Sequence, residues 1–448
     1  MQIEKEAFYR RTLFTAFWIR GTWGFFAGDF VPAMASVESL VYLLFDAVIA
    51  ALGLALMRRR REWLYMLCFL AASYIITCGY NHLGLTFYVN GLREFVAYMF
   101  IIPILRYFLA DPERKERFIA AMDKNLFWFL VIQTPCSIFQ FLKNSFDMDL
   151  VGGSLGPWYS GIESTIIFAI SFYLMRKRLD VDHFWQSLWE NKILIILLLP
   201  TQLNETKVSF VYFALYLLLL MPLNRKSFVR MIAFIPCAML LLGLMYMAYT
   251  VANGISVADL FTKEEAVDMY LIDTSGSSAA YAEWIFDNDV DEIEDVPRFA
   301  KLALLTEVSE ANPGHEITGF GIGHFKGGTM LDSTKLAVEY DWLFFGAIPY
   351  IFHLLIQLGL VGVALFVAFM INLFSRPSEG LKRDYNIHFY FIANFVIIQF
   401  YNDSIRNSFM MLILMYIIMA SWRVKDTVDE GNPLDGSTEV ADAALNLK

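Results

Sequence analysis

MIAFIPCAMLLLGLMYMAYTVA, residues 231–252, runs without one charged side chain. A helix of about 20 apolar residues is long enough to cross a lipid bilayer, so this stretch predicts a transmembrane helix. The whole chain of 448 residues shares this character, because 57% of its residues are hydrophobic and only 18% are charged. A soluble protein needs more charge on its surface than that. The sequence therefore predicts an all-α polytopic membrane protein.

Apolar windows recur along the chain and predict about twelve transmembrane helices. The predicted organisation is nine membrane helices in 1–252, one large external loop in 253–340, three further membrane helices in 341–422 and a disordered cytoplasmic tail in 423–448. The apolar windows lie at 12–30, 36–57, 63–81, 92–109, 125–142, 161–175, 193–203, 208–222, 231–252, 353–374, 387–402 and 409–422.

Basic residues predict the orientation of these helices. Clusters such as Arg58 to Arg61 and Arg176 to Arg178 fall at every second connection, and the positive-inside rule places those connections in the cytoplasm. Both termini are then cytoplasmic and the large loop is external. The loop carries 17 acidic and 5 basic residues, so the rest of a chain with a net charge of -10 is close to neutral. No basic surface remains for phosphates, which excludes a nucleic-acid-binding protein.

The sequence predicts neither a disulfide nor a metal site. The acidic run Asp287 to Asp295 lacks the glycine and the alternating Asp or Asn residues of a calcium loop, which favours a solvated acidic face. Cysteines in apolar segments are most often small packing residues. All four lie in such segments: Cys68, Cys78, Cys136 and Cys237.

Ionisable residues near the external side of the membrane are few, and each is costly there unless it is paired or hydrated. Such a set of cations predicts a site for an anionic group, because arginine binds phosphate through two parallel hydrogen bonds. The alternative is an ion pair with a nearby acid, for example Glu94 for Arg93 or Asp403 for Arg406. Five cations lie where the positive-inside rule disfavours them: Arg20, Arg93, Lys207, Arg298 and Arg406.

A glycine-rich element, Gly319-Phe-Gly-Ile-Gly-His-Phe325, closes the large loop. The alternation of Gly319, Gly321 and Gly323 predicts turns that only glycine tolerates and a backbone that approaches a ligand closely. No strand–helix unit of a βαβ fold surrounds the element, so it is not a dinucleotide-binding fingerprint.

The order of these features resembles the O-antigen polymerase and ligase superfamily. A large external loop with Arg298 in its second half ends in the glycine element, and an apolar helix with Gln357-Leu-Gly359-Leu-Val-Gly362 follows. Asn204 to Phe210 is similar to the superfamily's short polar turn with a basic residue, and Gly152 to Gly161 is similar to its glycine-rich loop. The resemblance implies a fold like that of GT-C-type membrane glycosyltransferases.

The resemblance also implies a function. The protein would be a bacterial inner-membrane enzyme that joins oligosaccharide repeat units, carried on undecaprenyl pyrophosphate, at the periplasmic face. Arg298, Lys207 and Arg406 would bind the pyrophosphate, with Arg93 and Arg20 as further members of the site. No metal or other cofactor is expected. The implied partners are the lipid-linked oligosaccharide, membrane lipid, and a chain-length regulator and flippase of the same pathway.

Within this superfamily the sequence favours a polymerase over a ligase, because Ile348 occupies the position of the ligase's histidine. The general base would then be Glu339 or Asp341, with His353 also nearby, and Arg298 would complete the catalytic set. Two alternatives remain open. One is a ligase that transfers glycan to lipid A core or another acceptor. The other is a transporter or flippase of lipid-linked glycans, which more often has two repeated halves that this chain lacks.

Reporter fusions test the predicted orientation. We expect fusions at Arg60, Lys177 and Arg383 to report the cytoplasm and fusions at Asp291 and Asn407 to report the periplasm, because basic connections stay inside. Paired reporters, one active only inside the cytoplasm and one active only outside it, give the readout. A cytoplasmic signal at Asp291 would contradict both the orientation and a periplasmic reaction.

Overall fold

The computed structural model has helices at every predicted membrane window that its described residues include. The window 231–252, most of the large loop and the C-terminal tail lie outside those residues. The described residues are 2–145, 147–148, 150–157, 159–180, 183–204, 208–220, 298–325, 334–344, 348–375 and 381–424.

The α-helices fall into two series along the chain, and two short strands pair near its end. The first series is α1 (Gln2–Phe25), α2 (Glu38–Leu56), α3 (Arg60–Tyr74), α4 (Leu85–Leu92), α5 (Val96–Leu109), α6 (Pro112–Lys143), α7 (Ser160–Arg178), α8 (Phe184–Glu190), α9 (Ile193–Ile196), α10 (Pro200–Leu203) and α11 (Val208–Leu220). The second is α12 (Arg298–Ala311), α13 (His315–Thr318), α14 (Lys335–Glu339), α15 (Tyr350–Phe374), α16 (Tyr385–Tyr401) and α17 (Ser408–Ala420). Strand β1 (Leu381–Arg383) pairs antiparallel with β2 (Trp422–Val424).

Short 3-10 and π-helical segments join several of these helices. The π-helical segments Phe26–Phe30 and Ile75–Tyr80 extend α1 and α3. The 3-10 segments are Pro32–Val37, Arg93–Phe95, Gly153–Leu155, Asp341–Phe344 and Ser404–Arg406.

Within the described ranges, four helical segments are long and apolar enough to cross a membrane. Large hydrophobic side chains such as Leu64, Ile371 and Phe389 are exposed on the outside of the bundle. An extensive apolar outer surface fits contact with lipid better than contact with water. The four segments are Ala33–Leu56, Arg60–Tyr80, Pro112–Lys143 and Tyr350–Phe374.

Helix α17 lies in the centre of the bundle. Its residues from Ser408 to Met419 are all buried, and it packs against α5 and α7. A helix that is apolar on every face is stable only when neighbours surround it, which explains the Met, Leu and Ile residues all around α17. The Asn407 side chain accepts hydrogen bonds from the backbone N–H groups of Phe409 and Met410, and this cap fixes where α17 begins.

The basic connections gather at the end of the bundle where α17 stops. Lys115 donates a hydrogen bond of 2.9 Å to the carbonyl of Trp422, which follows α17, and Lys177 forms an ion pair with Asp123 at 2.5 Å. The residues at the start of α17 therefore lie at the opposite end of the bundle.

Helix α15 is broken at Gly359, which has φ 56° and ψ -149°. A break in a helix leaves backbone carbonyls without their usual partners. The glycine-rich element supplies those partners, because the N–H groups of Phe320 and Gly321 donate to the carbonyls of Ile356 and Gln357, each at 2.9 Å. The element thus completes the hydrogen bonding of a broken membrane helix.

The alternating glycines adopt the turns that the sequence predicts. Gly319, Gly321 and Gly323 all have positive φ, between 65° and 92°. The close approach is to the protein's own backbone: a Cβ atom on Gly319 would lie 2.6 Å from Gln357, and one on Gly323 would lie 2.2 Å from the carbonyl of Phe87. These glycines therefore serve packing between segments in the described structure.

Candidate functional site

A cavity of about 350 Å³ lies at the end of the bundle where α17 begins. This volume is within the usual range of roughly 300–1,000 Å³ for small-molecule sites. Three of the five predicted cations, Arg20, Arg93 and Arg406, line it together. We call it the arginine cavity. Its other lining residues are Tyr42, Phe45, Asp46, Glu94, Tyr159, Ile162, Asp403, Ser404, Asn407, Ser408 and Phe409.

Three separate parts of the chain supply the arginines. Arg20 lies near the end of α1, Arg93 opens the 3-10 turn between α4 and α5, and Arg406 ends the 3-10 turn before α17. Because α1, α2, α5 and α17 pack against one another, their ends meet at this point. The cavity is therefore a product of the tertiary fold.

Arg406 is held by two carboxylates. Its guanidinium donates hydrogen bonds to Glu94 and to Asp403. Burial lowers the pKa of Arg406, but these carboxylates outweigh burial and raise the pKa above its ordinary value, so the group is charged. The ion pair between Arg406 and Asp403, the alternative to an anion site, is thus present.

Arg93 pairs with Asp46 and not with Glu94, the acid next to it in the sequence. Its Nε atom lies 3.6 Å from Oδ2 of Asp46. The adjacent Glu94 is buried and does not pair with Arg93. Its carboxylate accepts hydrogen bonds from Arg406 and from Nε2 of Gln357, the latter at 3.1 Å. Nε2 of His353 lies 2.6 Å from the same carboxylate. Glu94 therefore joins the turn after α4, helix α15 and the turn before α17.

Arg20 differs from the other two arginines. Only 5% of its surface is exposed, and no carboxylate in the described part of the chain lies within 4 Å of it. The guanidinium lies over the ring of Tyr42, 3.5 Å from the ring centroid, and it has a hydrogen bond with Tyr159. Its Nη1 atom has no hydrogen-bond partner among the described residues. A water molecule, an ion or a polar ligand in the cavity would satisfy this donor.

The glycine-rich segment 152–161 supports Arg20 from behind. The hydroxyl of Ser154 donates a 2.5 Å hydrogen bond to the carbonyl of Gly21, next to Arg20. Close contact is possible because Gly24 has no side chain: a Cβ there would lie 1.7 Å from the carbonyl oxygen of Leu155. The segment thereby fixes the end of α1 and brings Tyr159 to the cavity.

The other predicted site residues lie elsewhere or outside the described structure. Glu339 is exposed on α14 and does not line the arginine cavity, and neither do Gly319, Gly321 and Gly323. Arg298 begins α12 and Asp341 begins a 3-10 turn, but their side chains are outside the described structure, as is the whole of Lys207.

The sequence pointed to Glu94 and Asp403 only as ion-pair partners, and it did not single out Asp46. Asp46 lies within the predicted membrane window 36–57, and an acid inside an apolar window is itself a signal for a functional or paired group. Tyr42, one helical turn before Asp46, carries no comparable signal, because aromatic residues are common in membrane helices.

The cavity combines two kinds of polar group. The three guanidinium groups can bind phosphate oxygens, whereas the carboxylates of Asp46, Glu94 and Asp403 can accept hydrogen bonds from hydroxyl groups. In the described residues no group of three or more His, Cys, Asp or Glu side chains is placed to hold a metal ion. Fold and cavity together define an all-helical membrane protein with a charged site at one end of its bundle. No protein-family model and no curated protein matches this chain.

Proposed function

We propose that this protein is a polymerase of bacterial surface polysaccharide, a membrane glycosyltransferase whose donor is an oligosaccharide on undecaprenyl pyrophosphate. The proposal includes about twelve membrane helices in a GT-C-like arrangement, a place in the inner membrane with both termini in the cytoplasm, and a reaction at the periplasmic face. The arginine cavity would be its active site.

The observation that carries the proposal is the convergence of Arg20, Arg93 and Arg406 on one cavity, where the buried Nη1 atom of Arg20 has no hydrogen-bond partner among the described residues. The cavity also contains three carboxylates, so its charge is close to balanced. A simple anion gains little from such a balance. A sugar pyrophosphate fits it better, because phosphate oxygens bind arginine while sugar hydroxyls donate to carboxylates.

The chemistry follows from these groups. An acceptor hydroxyl attacks C1 of the donor sugar, the bond from C1 to the pyrophosphate oxygen breaks, and the lipid pyrophosphate leaves with the bonding electrons. Arginines stabilise the charge that develops on the leaving group. We assign the hydroxyl proton to Asp403, because its side chain is 35% exposed, against 15% for Asp46 and 5% for Glu94. Asp403 thus takes the role first expected of Glu339 or Asp341.

A ligase and a transporter remain the alternatives, and they predict different products. Ile348 at the position of the ligase's histidine favours the polymerase. A ligase would move glycan only to lipid A core or another acceptor. A transporter would move lipid-linked glycan across the bilayer without forming a bond. One assay of purified protein in lipid nanodiscs with the lipid-linked repeat unit therefore distinguishes the polymerase, since only it makes a ladder of longer glycans.

We expect Arg20→Ala to slow ladder formation by about 100- to 1,000-fold, because a buried cation that meets the leaving group stabilises its charge. Arg20→Lys should recover part of the rate, since lysine keeps the charge but loses the planar fork. Arg11→Ala, an exposed arginine on the same helix, is the matched control and should keep the wild-type rate. A wild-type ladder from Arg20→Ala, with unchanged melting temperature, would remove Arg20 from the site.

A second pair of variants tests the base. We expect Asp403→Asn to lower the rate by about 100- to 10,000-fold, the usual contribution of a positioned general base. Glu339→Gln, at an exposed carboxylate outside the cavity, should change the rate little. Single-turnover rates of both proteins are measured with the same lipid-linked substrate. The opposite result, a slow Glu339→Gln variant and an Asp403→Asn variant with the wild-type rate, would indicate that the general base is Glu339 on α14.

A further inference from the structure

His353 and Gln357 converge on the carboxylate of Glu94 without reaching the arginine cavity. They lie four residues apart on α15, and residues at this spacing share one face of a helix. Both side chains are buried, with exposed fractions of 3% and 4%. Glu94 lines the cavity, whereas neither His353 nor Gln357 does. The two side chains of α15 therefore contact this acid from the side away from the cavity.

The two oxygen atoms of the Glu94 carboxylate face different partners. Oε1 accepts from Nη2 of Arg406, whereas Oε2 lies 2.6 Å from Nε2 of His353 and 3.1 Å from Nε2 of Gln357. The Nε2 atoms of His353 and Gln357 are 2.6 Å apart, so both converge on Oε2. A carboxylate that pairs with a guanidinium is ionised and only accepts hydrogen bonds. Nε2 of His353 therefore carries a proton and donates it to Glu94.

This division of partners fixes the rotation of the carboxylate. The last torsion of a glutamate side chain has a broad energy minimum, so without donors at Oε2 the group could turn and Oε1 would no longer be directed at Arg406. Arg406 also donates to Asp403, the carboxylate to which the hydroxyl proton is assigned. The hydrogen bond from His353 thus affects the orientation of a cation and of a base in the arginine cavity.

The part of α15 that carries His353 is itself held in place. Gly359 interrupts the helix shortly after His353, and the glycine-rich element donates hydrogen bonds of 2.9 Å to the carbonyls of Ile356 and Gln357. A side chain on a fixed element keeps its partner oriented more precisely than one on a loop does. The glycine-rich element therefore supports the arginine cavity through the first half of α15.

We infer that His353 is a positioning residue, which acts through Glu94 to hold the guanidinium of Arg406 where it meets a phosphate oxygen. The inference deepens the proposed function and rests on it for the identity of that phosphate as part of a lipid pyrophosphate. In this role His353 does not touch the substrate and takes no proton from it. The role differs from that of a general base, which the sequence left open for this histidine.

The test uses the full-length protein in nanodiscs and inorganic pyrophosphate as the probe, with titration calorimetry as the readout. We expect His353→Asn to weaken pyrophosphate binding by about tenfold, the loss expected for one hydrogen bond to a charged group. His353→Gln should bind within about threefold of the wild type, because the amide nitrogen of glutamine can take the place of Nε2 and that of asparagine only the place of Nδ1. His183→Asn, at an exposed histidine, is the matched control and should bind like the wild type.

A double-mutant cycle distinguishes positioning from a general effect on the fold. If His353 acts through Arg406, His353→Asn should change the affinity by less than about twofold once Arg406→Gln has removed the guanidinium. An equal loss of affinity with and without the guanidinium would show that the histidine only supports the fold, and would overturn the inference. Melting temperatures of the four proteins establish that each is folded.

The inference and the proposed function fail separately. The expected cycle in a protein that makes no ladder would support the positioning role and contradict the polymerase. A ladder from the wild type, with unchanged pyrophosphate binding in His353→Asn, would overturn the positioning role and leave the polymerase standing. If His353→Asn and His353→Gln both abolish the ladder yet bind pyrophosphate normally, His353 is a base and the inference is wrong.

Discussion

The buried carboxylate of Glu94 holds the described site together. It accepts from Arg406 and Gln357 and lies 2.6 Å from Nε2 of His353, so one side chain joins three helical segments that are far apart in sequence. Breaking a buried charged pair of this kind usually costs about 3–5 kcal/mol. The position of Arg406 at the start of α17 depends on it, and so does the orientation of the first half of α15 beside the cavity.

Glycine is the second constraint on the structure. Because it has no side chain, it lets two backbone segments come into contact inside the membrane, where no water is present to bond with their polar groups. Backbone groups freed by a helix break must find partners inside the protein. At Gly359 the glycine element provides them, and the carbonyl of Gln357, whose side chain reaches Glu94, accepts from Gly321. Near the end of α1, Gly24 admits the carbonyl of Leu155, which brings the segment with Tyr159 beside Arg20. Both contacts place groups around the arginine cavity.

Hydropathy predicted where the helices lie, since that signal is local to each segment. The sign of φ at Gly319, Gly321 and Gly323 was predictable for the same reason. The hydrogen bonds from their segment to α15 were not, because these bonds depend on the break in that helix. Charge pairing was the hardest to predict. Arg93 and Glu94 are neighbours in sequence, yet they face different partners, and only the packing of α2 against α5 brings Asp46 to Arg93. Arg20, first expected only as a further member of the site, is the one of the cavity's three arginines without a carboxylate partner among the described residues.

We propose that the arginine cavity binds the pyrophosphate of a lipid-linked glycan. The most direct test is a cryo-electron microscopy map of the protein in nanodiscs with undecaprenyl pyrophosphate at saturating concentration. We expect phosphate density inside the cavity, with an oxygen about 3 Å from Nη1 of Arg20. Pyrophosphate density at another place on the protein, with the cavity free of it, would contradict the claim.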